Sequence, residues 1–141
     1  MKKIFKLDFK SLDKLFDFIA TFVKSAGLDS QLHFQIDLVV EELFSNMVKY
    51  DGKVNGSMEL ELRMQNHDLL IVLTDFNVHP FDPTKSEGYD ISQQLEKRPI
   101  GKLGVHLVNQ MVDKVEYRYE NNNNIVELIK HTGSANVRNY D

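Results

Sequence analysis

Five consecutive aliphatic residues, Leu69-Leu70-Ile71-Val72-Leu73, constrain the fold of this chain more than any other stretch. The run is too short for a helix, is apolar on both faces, and follows a polar turn segment, Asn66-His67-Asp68. A strand with no polar face belongs in the middle of a sheet, between other strands and beneath a covering layer. The rest of the chain therefore has to supply neighbours and a cover.

The neighbours are legible from period-two patterns. Met58, Leu60, Leu62 and Met64 alternate with Glu59, Glu61 and Arg63, which predicts a strand with one wet face, joined to the aliphatic run by a hairpin turn at Asn66–Asp68. The segment Ile4 to Phe9 alternates too, with Phe5, Leu7 and Phe9 on one side, and reads as a half-buried strand. Near the C-terminus, Val115–Tyr119 and Ile125–Ile129 flank an asparagine turn, Asn121-Asn122-Asn123-Asn124.

The cover comes from helical periods. Ser11 stands where an N-cap belongs, ahead of Leu12, Leu15, Phe16, Ile19, Phe22 and Val23, and Gly27 closes that helix. A second helix is predicted from Ser30 to Tyr50, its apolar stripe made of Ile36, Val39, Val40, Leu43 and Met47, and ended by the turn pairs Asp51-Gly52 and Asn55-Gly56. A third runs from Gly101 to Asp113, with Leu107, Val108, Met111 and Val112 inward. Strands joined by short turns, with helices for one face, make an α+β two-layer sandwich with a mixed, mostly antiparallel sheet. At 141 residues the chain is expected to be one domain, residues 1–132, followed by a flexible tail, 133–141.

Composition narrows the chemistry. The absence of cysteine excludes a disulfide framework, thiolate-bound metal and a thiol nucleophile. A net charge of −4 speaks against a nucleic-acid partner, which needs basic surface to displace counterions. No apolar run approaches the ~20 residues of a membrane span, and the N-terminus lacks a signal-peptide core, so neither a membrane partner nor secretion is expected and a cytoplasmic location is. The five histidines are scattered without metal-ligand spacing, and neither a Walker-type loop nor a Gly-x-Ser-x-Gly elbow is present.

Three local features can carry chemistry. Glu42 and Asn46 lie four apart on the second helix, at the rim of its apolar stripe, and supply oxygen ligands of the kind Mg²⁺ accepts. The plain alternative places Glu42 on an ordinary polar flank with Asp37, Glu41 and Lys49. Asp75 ends the aliphatic strand just before an irregular stretch, Asn77 to Pro99, which holds all three prolines. A carboxylate there can accept a hydrogen bond from an amine or can simply cap a turn. Gly101-Lys102-Leu103-Gly104 opens the third helix, where glycines let backbone N–H groups approach an anion, as they also would at any loop-to-helix junction.

In this order, Val40-Glu41-Glu42-Leu43-Phe44-Ser45-Asn46, then Leu73-Thr74-Asp75 with Pro80-Phe81-Asp82-Pro83, then Gly101-Lys102-Leu103-Gly104-Val105-His106-Leu107-Val108, the chain resembles the GHKL (Bergerat) ATP-binding fold, and within it the anti-sigma-factor serine/threonine protein kinases. The resemblance spans roughly Asp8 to Lys130. It implies ATP and Mg²⁺ as cofactors, Asn46 as the magnesium-holding residue, and Glu42 as the base toward the attacking hydroxyl. It implies Asp75 as acceptor for the adenine amine and an ATP-binding set of Asn46, Lys49, Asp75, Asn77, Gly101, Lys102, Leu103 and Gly104. The 77–99 stretch would be the ATP lid. The partners implied are a sigma factor and an anti-sigma-factor antagonist phosphorylated on serine, with the kinase a homodimer. Two departures leave a second reading open, a catalytically degenerate nucleotide-binding or protein-binding adaptor. Asn77 stands where the family usually has glycine, and Lys102 replaces what is commonly another.

Overall fold

The structure is a computed structural model that describes residues 1–51, 56–76, 106 and 108–132. In chain order these form β1 (Lys2–Lys6), a 3-10 turn (Phe9–Ser11), α1 (Leu12–Ala26), α2 (Ser30–Asp51), β2 (Ser57–Gln65), β3 (Asp68–Asp75), β4 (Lys114–Glu120) and β5 (Asn123–His131). Residues 108–111, just before β4, are helical. The strands make one five-stranded sheet in the order β1-β2-β3-β5-β4, and among the described residues every pairing is antiparallel. The α+β fold class expected from the sequence is therefore the one observed, with β3, which carries the aliphatic run, at the centre of the sheet.

Register explains why one face is dry. Leu69, Ile71 and Leu73 of β3 pair with Met64, Leu62 and Leu60 of β2, and with Lys130, Leu128 and Val126 of β5. Nearly all of these are buried, together with Ile36, Val39, Val40, Leu43, Phe44 and Met47 of α2 and Leu15, Ile19, Phe22 and Val23 of α1. The predicted α2 stripe holds in full. Phe44, fully buried, lies outside it because α2 is covered over a wider arc than a single packing stripe. Phe5 of β1 meets Phe18 of α1 edge to face, with ring centroids 5.7 Å apart, and this ties the edge strand to the helical layer.

Near the N-terminus, element ends differ from the sequence expectation at β1 and at the start of α1. The first strand covers Lys2–Lys6, and Phe9 lies beyond it in the 3-10 turn, 48% exposed. Asp8 is the cause. Its carboxylate accepts from the Lys10 N–H at 2.8 Å and its carbonyl from the Ser11 N–H at 2.8 Å, turning the chain out of the sheet. Ser11 does precede α1, but its backbone is already helical and its hydroxyl makes no capping bond, because the 3-10 turn feeds straight into the helix. Asp29 caps α2, its Oδ1 accepting from the Leu32 N–H at 2.8 Å.

Gly27 closes α1 as expected. At φ 69° it lets its own N–H reach the Lys24 carbonyl and the Leu28 N–H reach the Val23 carbonyl, the paired bonds of a Schellman ending. The asparagine turn is tighter than the sequence indicates. Only Asn121 and Asn122 form it, at φ 53° and 65°, while Asn123 and Asn124 belong to β5. The turn pairs after α2 and the tail 133–141 lie outside the described residues, apart from Asp51, the last residue of α2, and Gly56, whose carbonyl accepts from the Leu7 N–H.

Candidate functional site

Successive residues of α2 turn by about 100°, so Asn46 falls beside Val39 and Leu43, Glu42 about 40° further out, and Lys49 beyond that. Burial follows the same gradient: Asn46 is 4% exposed, Glu42 half-buried and Lys49 exposed. Asp37 and Glu41 project from the opposite flank, where Asp37 faces His33 at 3.5 Å. The Asp37 carboxyl is held above the usual carboxylate range by its partial burial, with His33 pulling it down and Glu41 pushing it up. Glu42 is thus separated from the ordinary polar flank and sits on the rim that leads to a buried carboxamide. Among the described residues, Glu42, Asn46, Lys49 and Asp75 all have interaction partners.

Asp75 is 1% exposed. Its alternation with Leu69, Ile71 and Leu73 places it on the helix-covered face, at the last position of β3, between Met58 of β2 and Asn124 of β5. A carboxylate at this depth is expensive unless it has a polar function or polar neighbours. Asn124 supplies one. It is equally buried, and its Oδ1 accepts from the Tyr117 hydroxyl at 2.6 Å. Asp75, Asn124 and Tyr117 thus put polar groups on three adjacent strands at one end of a face that is otherwise apolar.

Asn124 is the residue that sequence reading missed. Within a run of four asparagines it looks like turn, but it is in phase with Val126 and Leu128, and that parity marks an inward position. Of the four buried polar residues described, Ser11, Asn46, Asp75 and Asn124, only Ser11 belongs to the start of a helix.

Two openings among the described residues lie elsewhere. A void of about 10 Å³ separates Leu32, Ile36 and Val39 of α2 from Leu69 and Ile71 of β3. It is at the lower limit for one water and is a packing gap. Asn46 and Asp75 both belong to the halves of α2 and β3 remote from it. A groove of about 240 Å³ between β1 and α1, lined by Met1, Lys3, Lys14, Asp17, Phe18 and Thr21, contains none of the candidate residues. Asn77, Gly101, Lys102, Leu103 and Gly104, with the expected lid, lie outside the described residues.

A sheet covered by helices on one face, with a polar flank on α2 and a buried Asp at the end of the central strand, meets an independent finding. The sequence profile of the histidine kinase-like ATPase domain matches residues 5–130. The chain belongs to that family. The histidine kinase-like ATPase domain is an ATP-binding fold of the GHKL superfamily, and the match runs from the end of β1 to the penultimate residue of β5. No curated protein matches the chain. In a histidine kinase-like ATPase domain, Glu42, Asn46 and Asp75 have donor chemistry suited to a nucleotide and its cation. Carboxylate and carboxamide oxygens are ligands that Mg²⁺ takes, and a buried carboxylate accepts from an amine. Among the described residues no helix is long and apolar enough to cross a membrane, and no cluster of His, Asp and Glu could hold a metal by itself. A metal at Asn46 would need further oxygens, such as phosphate and water.

Proposed function

We propose that the chain binds Mg-ATP and acts as an anti-sigma-factor-type serine/threonine protein kinase, a partner switch that phosphorylates a serine of a small antagonist protein. The observation that carries the nucleotide reading is Asp75, a carboxylate 1% exposed at the end of the central strand beside Asn124. Asp75 accepts a hydrogen bond from the exocyclic amine of adenine. The Asn46 carboxamide oxygen holds the cation, which neutralises charge on the phosphates. Glu42, one helical turn earlier and half-buried, accepts the proton of the serine hydroxyl as its oxygen attacks the γ-phosphorus and ADP leaves. The partners, a sigma factor and its antagonist, follow from the resemblance of the 40–46, 73–83 and 101–108 segments to that kinase family.

The direct test is titration with Mg-ATP by calorimetry. Intact protein is expected to bind, while Asp75→Ala and Asn46→Ala are each expected to weaken binding by tenfold or more, the equivalent of about 1.4 kcal/mol or more. Absence of binding to the intact, folded protein rejects the reading.

A second reading, a nucleotide-binding or protein-binding adaptor without turnover, is favoured by Asn77 and Lys102, which replace residues that are commonly glycine in the family. Labelled ATP separates the two. Transfer of phosphate to the antagonist that is lost in Glu42→Gln, while ATP affinity is retained, identifies the kinase. Binding without transfer identifies the adaptor.

A further inference from the structure

β1 is an edge strand, with β2 on one side and, among the described residues, no strand on the other. Its hydrogen-bond phase is set at both ends. Met1 and Leu62 exchange backbone bonds, each at 2.8 Å, and the Leu7 N–H donates to the Gly56 carbonyl at 2.9 Å. Alternation along the ladder therefore turns the backbone groups of Met1, Lys3, Phe5 and Leu7 toward β2, and those of Lys2, Ile4 and Lys6 outward. The Lys6 carbonyl is engaged by the Asp8 N–H at 2.9 Å. That leaves the N–H groups of Lys2, Ile4 and Lys6, with the carbonyls of Lys2 and Ile4, facing the open edge without a backbone partner among the described residues.

The same three residues carry their side chains on the face away from the helices, because Phe5 packs against α1 and Lys3 shares its side. Ile4, 58% exposed, has Lys2 and Lys6 two residues away on either side. Glu61 stands opposite Lys2 but reaches Arg63, at 3.6 Å. Among the described residues, no ion pair involves Lys2, Lys3 or Lys6. On a chain of net charge −4, this edge is locally basic.

On the helix side lies the groove of about 240 Å³ between β1 and α1. Its lining comes from Met1 and Lys3 and from the exposed flank of α1, with no residue of β2, which puts it along the outer side of β1. Half-buried Phe18 gives it an apolar wall, and Lys3 and Lys14 outnumber Asp17 around it. Lysines on an edge strand ordinarily keep sheets from pairing, and self-pairing about Ile4 sets Lys2 against Lys6 of a copy. That protection requires neither an exposed isoleucine between the lysines nor a groove alongside them. The pattern repels a copy of the chain and admits a strand of opposite charge.

We propose that β1 is a docking edge for an extended acidic segment of a partner protein, which joins the sheet as a further antiparallel strand. The segment pairs its backbone with Lys2, Ile4 and Lys6. It sets acidic side chains opposite the two lysines and an aliphatic side chain opposite Ile4. Its residue opposite Lys3 falls on the helix side and enters the groove beside Phe18, where an aromatic ring finds an apolar wall. Read from its N-terminus, the segment is acidic, unrestricted, aliphatic, aromatic, acidic. The proposal stands independently of whether the chain binds nucleotide or transfers phosphate.

Amide NMR on the full chain tests it, with the capped peptide Glu-Thr-Ile-Phe-Glu as probe and Lys-Thr-Ile-Phe-Lys as control. The acidic peptide is expected to shift the Lys2, Ile4 and Lys6 amides saturably, with an affinity that falls as salt rises. The basic peptide is expected to bind more than about tenfold more weakly. In Lys2→Glu with Lys6→Glu that preference is expected to reverse. Circular dichroism checks that the double variant folds, and Lys6→Glu alone serves if it does not. Methylating the isoleucine nitrogen of the acidic peptide removes its donor to the Ile4 carbonyl and is expected to weaken binding several-fold. Absence of saturable binding to the folded wild type at millimolar peptide overturns the proposal. So do shifts that map away from β1, equal affinity for the two peptides, or a methylated peptide that binds as well as the parent. So too do β1 amides that move with protein concentration alone, since a second copy is then the occupant.

Discussion

Gly27 holds a backbone conformation, φ 69°, that an L side chain adopts only under strain, although a Cβ there would meet nothing within 4 Å. Space and conformation therefore make separate predictions. Gly27→Ala is expected to destabilise the protein by about 1 kcal/mol through backbone strain alone, and Gly27→Asn by less, since Asn tolerates the left-handed region. Urea midpoints of the three proteins check this, and equal losses for Ala and Asn would point to sterics instead. Asp75 was visible in the sequence because it interrupts an aliphatic run. Asn124 was hidden, since composition around it reads as turn and only the strand register shows that it lies opposite Asp75. Asn46 was visible only as a rim position. Its depth, 4% exposed, depends on what α2 packs against.

At the scale of elements, the β4–β5 hairpin turns on two residues that both sit at positive φ, the geometry of a type I′ turn. Glycine is favoured at the second of these positions. Asn122→Gly is expected to raise the thermal midpoint, with a gain of a few tenths of a kcal/mol, even though it removes the long 3.4 Å bond from the Tyr119 hydroxyl to Asn122 Oδ1. A lowered midpoint would show that the Asn122 side chain matters more than its backbone. The helices were legible because their apolar spacing and their breakers agree. β1 starts two residues and ends three residues earlier than its pattern indicates, because the alternation continues through Leu7 to Phe9. A local Asp8 side-chain bond overrode that pattern, and such competition between side chain and ladder does not show in periodicity.

Across the whole molecule, the end of the sheet opposite Asp75 is tied by polar contacts. His131 Nδ1 lies 2.6 Å from Asp68 Oδ1, the His131 N–H donates to Asp113 Oδ2 at 2.6 Å, and the Thr132 hydroxyl donates to the His67 carbonyl. The Asp68 hydrogen bond raises the His131 pKa above its ordinary 6.5, the charges of Asp68 and Asp113 add to this, and Lys130 opposes it. A raised histidine pKa stabilises the fold fully below the unfolded value, and that contribution is lost as pH rises through the folded value. The wild type is therefore expected to keep its advantage over His131→Gln below the ordinary histidine pKa and to lose it as pH rises above that value. Thermal midpoints on both sides of that value check it, and a constant difference would assign the contact a purely steric role. The residue is exposed, so the effect is modest and decreases with salt.

The sequence by itself determined which of the described segments become strands and which become helices, that β3 is central, and that Glu42, Asn46 and Asp75 are candidates by residue type. Those are local properties, encoded by period, breakers and residue type. Tertiary structure decided what periodicity cannot hold: which residues stand opposite one another, and how deep each one lies. Pairing across strands set Asn124 beside Asp75, and helix packing buried Asn46 while leaving Glu42 half-buried on the rim. Both depend on contacts between residues far apart in the chain, whose free energy is settled only when the sheet and its cover come together.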